Sequence, residues 1–190
     1  NHLGTIIRIG RDGSVPDDNP FVGEGEAKEE IWSFGHRNIE SAAIDPATGM
    51  LWVAEMGPLG GDELNRPEAG KNYGWPEVSW GNHYDGRDIP DHDTRPEFEP
   101  PVVHWTPVIS PSGMEFYTGE VFPEYDGHML IGGLTAKGVV VVDVNDRNAR
   151  EVSRIELDAR TRDVAQAPDG SIYVLTDYGD GEIIRIYKEE

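Results

Sequence analysis

The chain has 190 residues, with 16 Lys and Arg against 36 Asp and Glu, so its formal net charge is −20. This charge argues against binding to nucleic acids, where cationic side chains must neutralise phosphates, and against docking on anionic membranes. The absence of Cys excludes disulfide scaffolds, thiolate metal sites and Cys nucleophiles. No apolar run approaches the roughly 20 residues of a transmembrane helix. We interpret the acidity mainly as surface solvation, with some carboxylates left as candidates for cation binding.

Short apolar runs between turn residues predict an all-β chain. The predicted strands cover residues 5–9, 51–55, 63–65, 129–133, 138–144, 172–176 and 183–187. Residues 139–142 lack alternation of apolar and polar side chains, which predicts a strand buried on both faces. One helical turn is expected near residues 28–34. A long loop is expected over residues 86–101, where four prolines interrupt the chain.

Internal repeats predict the architecture. Segments 45–55, 122–133 and 167–177 each combine a tight turn with a following strand, and their turn glycines are Gly49, Gly127 and Gly170. The second and third glycines are 43 positions apart, which matches the roughly 40–45 residues of a four-stranded propeller blade. The first two are 78 positions apart, which indicates a blade plus an insertion.

A second repeat predicts where in a blade the chain begins and ends. Residues 4–9 read GTIIRI and residues 181–186 read GEIIRI. Both segments are expected in the same late strand of a blade, so about three four-stranded blades separate them. Closed propellers usually have about four to eight blades, and three would leave open sheet edges. We therefore expect part of a larger propeller, or half of one that a partner completes.

Six short motifs are found along the chain. They are DDNPF at 17–21, IWSFGHRN at 31–38, GGDELN at 60–65, KNYGWP at 71–76, SGM at 112–114 and RTRDV at 160–164. With them the sequence resembles the soluble quinoprotein glucose/sorbosone dehydrogenases, also called aldose sugar dehydrogenases. The resemblance implies that residues 1–190 form the C-terminal half of a six-bladed β-propeller. It further implies oxidation of sugars at the anomeric carbon, by hydride transfer to pyrroloquinoline quinone (PQQ) with calcium. A periplasmic or extracellular location is also implied, although no signal peptide opens this chain.

The resemblance assigns the cofactor-binding residues. They are Asn38, Gly57, Pro58, Trp105, Arg160 and Arg162. PQQ carries three carboxylates, and two arginines two positions apart on a strand would present both guanidinium groups on one face. The alternatives are a surface ion-pairing role for the arginines and a core or rim position for Trp105. Two positions depart from the family: residues 39–41 read Ile-Glu-Ser rather than Pro-Gln-Gly, and Thr135 replaces a Lys found in some relatives, which should weaken PQQ binding.

The resemblance also implies two calcium ions. Calcium accepts backbone carbonyls among its six to eight oxygen ligands. The carbonyls of Gly57 and Pro58 would hold the cofactor's calcium, and Glu63 with the carbonyl of Tyr73 would hold a structural one. From spacing alone, residues 57–63 are interpreted as an ordinary Gly-rich turn with a solvated acid, and no EF-hand motif is present; the resemblance favours calcium instead. Four histidines have no metal-ligand spacing and are interpreted as structural or exposed: His36, His83, His104 and His128.

No catalytic residue is assigned within the chain. The general base of the family is a His of the N-terminal half, so this chain alone is expected to have little or no activity. Its expected partners are a sugar and either the missing N-terminal half or a second copy of the chain. Two alternatives remain open: a non-enzymatic half-propeller module that dimerises, and a calcium-dependent lactonase-like hydrolase with a metal-centred cluster of acids and Asn.

Overall fold

A computed structural model of the chain describes residues 1–188. These residues form thirteen strands and two short 3-10 helices, at His92–Thr94 and Pro123–Tyr125, so the expected all-β class is confirmed. The helical turn expected near residues 28–34 is wrong, because Ile31–Phe34 is a strand paired with Thr5–Ile7. Its side chains alternate between buried and half-buried positions, which is the period of a strand and not that of a helix.

The strands form four antiparallel sheets that follow one another along the chain. In order, the sheets contain β1 (Thr5–Ile7) and β2 (Ile31–Phe34); β3 (Ile39–Ile44), β4 (Leu51–Glu55), β5 (Asp62–Asn65) and β6 (Val103–Trp105); β7 (Pro111–Phe116), β8 (Met129–Gly133), β9 (Gly138–Asn145) and β10 (Asn148–Glu156); and β11 (Thr161–Gln166), β12 (Ile172–Thr176) and β13 (Ile183–Ile186).

The second and third sheets are complete four-stranded blades, and the chain begins and ends within partial ones. Strands β2, β6 and β10 each lead through a few residues into the first strand of the next sheet. Strand β1 is therefore the third strand of its blade, as β13 is of the last, which confirms the equivalence expected from the hexapeptide repeat. The first strands β3 and β7 contact each other, as do β7 and β11, and they form the inner side of this partial β-propeller.

The repeated turns share one backbone geometry. Gly49, Gly127 and Gly170 have φ values of 74°, 74° and 80°, a region that favours glycine. Each turn precedes the second strand of its sheet, namely β4, β8 or β12. The repeat in the sequence therefore corresponds to a repeat in the fold.

The core consists of two apolar layers between neighbouring sheets. One includes Trp52, Leu64 and Ile131, and the other includes Leu130 and Ile172. Residues 139–142 of β9 are completely buried, as their sequence predicts, because alternate side chains enter the two layers. Strand β10 was not expected from the sequence, since most of its side chains are exposed.

Residues 66–102 form an insertion between β5 and β6. Its residues 70–75 lie along β2, where Phe34 donates its N–H to the carbonyl of Lys71 and accepts from Tyr73. The expected loop at 86–101 lies within the insertion and contains no strand, but Ile89 and His92 of that loop are buried. None of the helices among residues 1–188 has the length and hydropathy needed to cross a membrane.

Candidate functional site

Consecutive connections in an antiparallel blade lie at alternating ends of its strands. The connections at one end comprise residues 35–38, 56–61, 106–110, 134–137, 157–160 and 177–182. We call this end the loop face. All six predicted cofactor-binding residues lie in these connections or next to them, although up to 124 positions separate them in the sequence.

Backbone hydrogen bonds join the neighbouring connections of the loop face into two groups, and the bond from Gly61 N to the Thr106 hydroxyl at 3.0 Å links the two groups. Four of the backbone bonds have N···O distances of 2.8–3.1 Å: Met56 N to Asn38 O, Leu134 N to Ser110 O, Leu157 N to Lys137 O and Asp177 N to Arg160 O. The loops are therefore held at fixed positions relative to one another, which a site assembled from several blades requires.

The side chain of Asp62 connects two of these loops, residues 56–61 and 106–110, by hydrogen bonds. It is 1% exposed, and its two carboxylate oxygens accept the N–H groups of Gly57 at 3.0 Å and Ser110 at 2.6 Å. Burial raises the pKa of Asp62, although the amide donors oppose this effect. The GGDELN motif contains this residue, but its anchoring role could not be derived from the sequence.

The Gly57–Pro58 segment turns tightly against the residues that follow it. A Cβ atom at Gly57 would overlap the carbonyl oxygens of Gly60 and Gly61, so glycine is required there. Pro58 is buried. Carbonyl oxygens are thus concentrated where the cofactor's calcium is predicted, and this donor chemistry fits calcium.

A small cavity brings together three of the four predicted metal ligands. Gly57, Glu63 and Tyr73 line it, and the Tyr73 backbone is fixed by its hydrogen bond to Phe34 O at 2.8 Å. Burial of Glu63, with the neighbouring charge of Glu55, raises its pKa. A cation bound at this carboxylate would offset that cost.

Asn65 contacts Glu63 through its side-chain amide nitrogen. Its Nδ2 donates to Glu63 Oε2 at 3.1 Å, while its Oδ1 is buried without a hydrogen-bond partner among the described residues. An unpaired buried carbonyl oxygen is costly and suits calcium coordination. Residues 1–188 contain no group of three or more His, Asp or Glu side chains arranged for a metal, so a site here depends on carbonyl oxygens.

Glu55 connects the 35–38 loop to the polar interior of its blade. Its Oε1 accepts from His36 Nδ1 at 3.0 Å and from Asn65 Nδ2 at 2.7 Å, and its Oε2 accepts from Arg37 N at 2.7 Å. Burial opposes ionisation of Glu55, but these donors together lower its pKa. His36 is buried and donates within this network, as the structural interpretation of that residue requires.

His92 is a buried residue of the site that sequence reasoning missed. Its Nε2 lies 3.5 Å from Glu63 Oε1, and its Nδ1 has no partner among the described residues. The residue belongs to the insertion, where no repeat or spacing marks it, so the sequence carries no signal that could have identified it.

Asn38, Trp105 and Thr135 each have partners within the protein. Asn38 is exposed, and its Nδ2 donates to Glu40 Oε1 at 2.7 Å, so a residue that departs from the family motif binds it. Trp105 is 6% exposed in the core, and its indole N–H donates to Glu151 at 2.8 Å. Trp105 therefore occupies the core position that was the alternative for this residue. The cofactor-binding role of Trp105 stays a prediction. Thr135 Oγ1 donates to Val108 O at 2.9 Å.

Arg160 and Arg162 share one partner, as two residues on the same face of a strand can. Their Nη2 atoms lie 2.9 Å and 3.0 Å from Asp177 Oδ2. The hydrogen bonds from Arg160 and Arg162 lower the pKa of Asp177. Sequence reasoning identified the arginines but not Asp177, which lies in another connection of the loop face.

The family model described as Glucose / Sorbosone dehydrogenase matches residues 1–185. The chain belongs to the glucose/sorbosone dehydrogenase family. It is 43% identical over 187 residues to aldose sugar dehydrogenase YliI of Escherichia coli, covering 96% of this chain and 50% of that protein. Against the apo crystal structure of the E. coli soluble aldose sugar dehydrogenase the TM-score is 0.86 at 42% identity, with 96% of this chain and 54% of the other covered.

One solved structure that is similar to this chain contains PQQ. This is the PQQ-bound aldose sugar dehydrogenase of Streptomyces coelicolor, with a TM-score of 0.69 at 27% identity over 96% of this chain and 51% of that one. The chain spans about half the length of the curated relatives it matches, which include a 44% identical Synechocystis protein covered over 46% of its length.

Proposed function

We propose that residues 1–190 form the C-terminal half of a PQQ- and calcium-dependent sugar dehydrogenase and supply its cofactor-binding side. The observation that carries this proposal is the loop face. There two arginines two positions apart, in a chain of charge −20, lie on the same loop face as a group of closely spaced backbone carbonyls. Cations and oxygen donors are the two kinds of group that a polycarboxylate quinone with calcium requires.

Each group of residues has a distinct task in this proposal. Arg160 and Arg162 bind carboxylate oxygens of PQQ, because guanidinium groups suit bidentate contacts with carboxylates. Asn38 would bind the cofactor through its amide, and Trp105 would border the site. When bound, PQQ with calcium supplies the acceptor for hydride from the anomeric carbon of a sugar.

Calcium would be bound at two places. The carbonyls of Gly57 and Pro58 fit an ion at the cofactor, and Glu63 with the Tyr73 carbonyl fits a structural ion. The raised pKa of Glu63 and the buried Asn65 Oδ1, which has no hydrogen-bond partner within residues 1–188, support the second site.

The partner of this chain is proposed to be an N-terminal half rather than a second copy. Two copies joined in a ring would place β11, β12 and β13 of one copy with β1 and β2 of the other in one blade. That blade would have five strands, one more than the complete blades have. An N-terminal half can instead supply the strands that each partial blade lacks. A strict monomer in light scattering would agree, whereas a stable two-copy ring would contradict this choice.

Direct binding tests the cofactor proposal. Purified chain is titrated with PQQ in the presence and absence of calcium, and quinone absorbance is followed. Calcium-dependent binding is expected, and Arg160→Ala with Arg162→Ala should abolish it. Arg150→Ala is the matched control, because Arg150 forms an exposed pair with Asp143 at 3.1 Å on β10. Absence of binding at tens of micromolar PQQ would refute the proposal.

Activity tests the division of labour between the two halves. The chain loaded with PQQ and calcium is expected not to reduce a dye with sugar, because the family's general base belongs to the other half. Adding the N-terminal half of a relative should restore sugar-dependent reduction. Activity of the chain by itself would contradict this assignment. The proposed location is the periplasm or the extracellular space.

A further inference from the structure

Asp177 joins the two arginines of the loop face through one carboxylate oxygen. Its Oδ2 lies 2.9 Å from Nη2 and 3.2 Å from Nε of Arg160, and 3.0 Å from Nη2 of Arg162. Arg160 directly precedes β11 and Arg162 is the second residue of that strand, whereas Asp177 directly follows β12. The carboxylate therefore holds two guanidinium groups side by side from a neighbouring strand.

The backbone fixes the same corner of the sheet. Asp177 N donates to Arg160 O at 2.8 Å, and Arg160 N donates to the Tyr178 hydroxyl at 3.1 Å. The side chains of Arg160 and Arg162 are nevertheless 40% and 43% exposed. Both groups are thus oriented within the protein while keeping a surface free for a ligand.

We infer that Asp177 is a positioning residue that orders Arg160 and Arg162 for a polycarboxylate anion, an inference that rests on the proposed function. Asp177 has two opposing effects on such an anion: it orders two long side chains, and it offsets part of their charge. Ordering an Arg side chain costs considerable entropy, whereas an exposed charge pair contributes little. The ordering effect is larger, so Asp177 favours anion binding although it is itself negative.

Two substitutions separate these effects. Asp177→Asn keeps an acceptor oxygen without the charge, and Asp177→Ala removes both. We expect Asp177→Ala to weaken PQQ binding about tenfold because both arginines lose their order. Asp177→Asn should stay within about threefold of the parent chain. Equal or tighter binding by Asp177→Ala would overturn the inference.

Asp169→Ala is the matched control for these variants. Asp169 forms an exposed pair with Arg185 at 2.8 Å in the same sheet, but at the opposite end of the strands from the loop face. This variant loses an ion pair of the same kind and should bind PQQ like the parent chain. A similar loss in Asp169→Ala would mean that a general change in the sheet is responsible, which also overturns the inference.

Arginine NMR provides a readout that does not require PQQ. With 15N-labelled arginine, the Nε–H signal of Arg160, which donates to Asp177 Oδ2 at 3.2 Å, should exchange slowly with solvent in the parent chain and in Asp177→Asn, and faster in Asp177→Ala. Unchanged exchange in Asp177→Ala would overturn the inference even if PQQ binds. Failure of the parent chain to bind PQQ would refute the proposed function instead, and the exchange rates would still decide whether Asp177 orders Arg160. Should Asp177→Ala fail to fold, Asp177→Leu supplies the same comparison, because it also removes both the charge and the acceptor oxygen.

Discussion

The two complete blades have the same strand order but very different interiors. In the blade β7–β10, residues 129–133 and 138–142 are all buried, and apolar side chains with three glycines fill these positions. In the blade β3–β6, the corresponding interior contains Glu55, Asp62, Glu63 and Asn65, all buried. The interior of one blade is apolar, whereas the other combines apolar packing at Trp52 and Leu64 with hydrogen bonds to buried carboxylates.

This difference identifies the blade in which buried carboxylates lower the stability of the fold. Burying a carboxylate is unfavourable unless donors compensate it. The donors around Glu55 lower its pKa, whereas the pKa values of Asp62 and Glu63 are raised, so compensation within this blade is incomplete. The polar blade lies beneath the Gly57–Pro58 segment, which is where the calcium ions are proposed.

The largest expected effect comes from breaking the polar network. Glu55→Ala should lower the free energy of unfolding by about 3–5 kcal/mol, because His36, Asn65 and the Arg37 amide lose their acceptor. The measurement is urea denaturation. Glu55→Gln should cost less, and the exposed Glu40→Ala is the control. A cost of Glu55→Ala similar to that of Glu40→Ala would contradict the comparison of the blades.

The stabilisation that Glu55 provides should depend on pH. The pKa of Glu55 is lowered from 4.5 in the fold, so its contribution is complete above the unfolded-state value and is lost as the pH falls through the folded-state value. The difference between the parent chain and Glu55→Ala should therefore shrink in acid. A difference in unfolding free energy that grows below pH 4.5 would contradict this prediction.

In the apolar blade, the stability cost of a substitution should depend on the buried volume that is removed and not on charge. Ile131 is 0% exposed, and Ile131→Ala should cost about 3 kcal/mol through lost burial and the remaining cavity. Because no charge changes, the cost should be the same at pH 4 and pH 7. A cost that follows pH, measured again by urea denaturation, would show that the two blades are not energetically distinct.

Calcium should stabilise the polar blade selectively. At a hundredfold excess over its dissociation constant, a bound ion adds about 2.7 kcal/mol to the free energy of unfolding. Glu63→Gln should abolish this increment, and the exposed Glu124→Gln should retain it. Thermal unfolding with calcium and with chelator provides the measurement, and an undiminished calcium effect in Glu63→Gln would exclude Glu63 as a ligand.

The smallest effect is a steric one within the loop face. Gly57→Ala should cost about 1–3 kcal/mol, because its methyl group overlaps the carbonyls of Gly60 and Gly61. Gly179→Ala is the control, since a Cβ there meets no heavy atom within 4 Å. Comparable melting temperatures for the two variants would argue against the close spacing of these carbonyls.

The sequence predicted the parts of the fold that depend on local pattern. Strands β8 and β12 were predicted with their observed bounds, because runs of apolar, largely β-branched or aromatic residues between turns identify them. Strand β10 was missed because it contains five charged or amide side chains and few apolar ones, so its pairing with β9 decides its structure. Strand β2 was predicted as a helical turn for a similar reason, since its identity depends on β1.

The site shows the same division between local and distant information. The spacing of Arg160 and Arg162 on one strand was sufficient to predict that they share a face. Asp177 and His92 could not be predicted as members of the site, because a neighbouring strand and the insertion bring them there. Contacts between distant segments have no signature in a single sequence.

The near-identity of β1 and β13 also affects how separate copies meet. Both strands lie at sheet edges, each paired with a single neighbour among the described strands, and edge strands are templates for pairing with other chains. Because the two edges carry almost the same sequence, either strand can take the place of the other in a neighbouring molecule. Head-to-tail exchange of this kind forms open chains of molecules unless its rotation closes a ring, so concentrated samples are expected to contain assemblies larger than the monomer that is expected at low concentration.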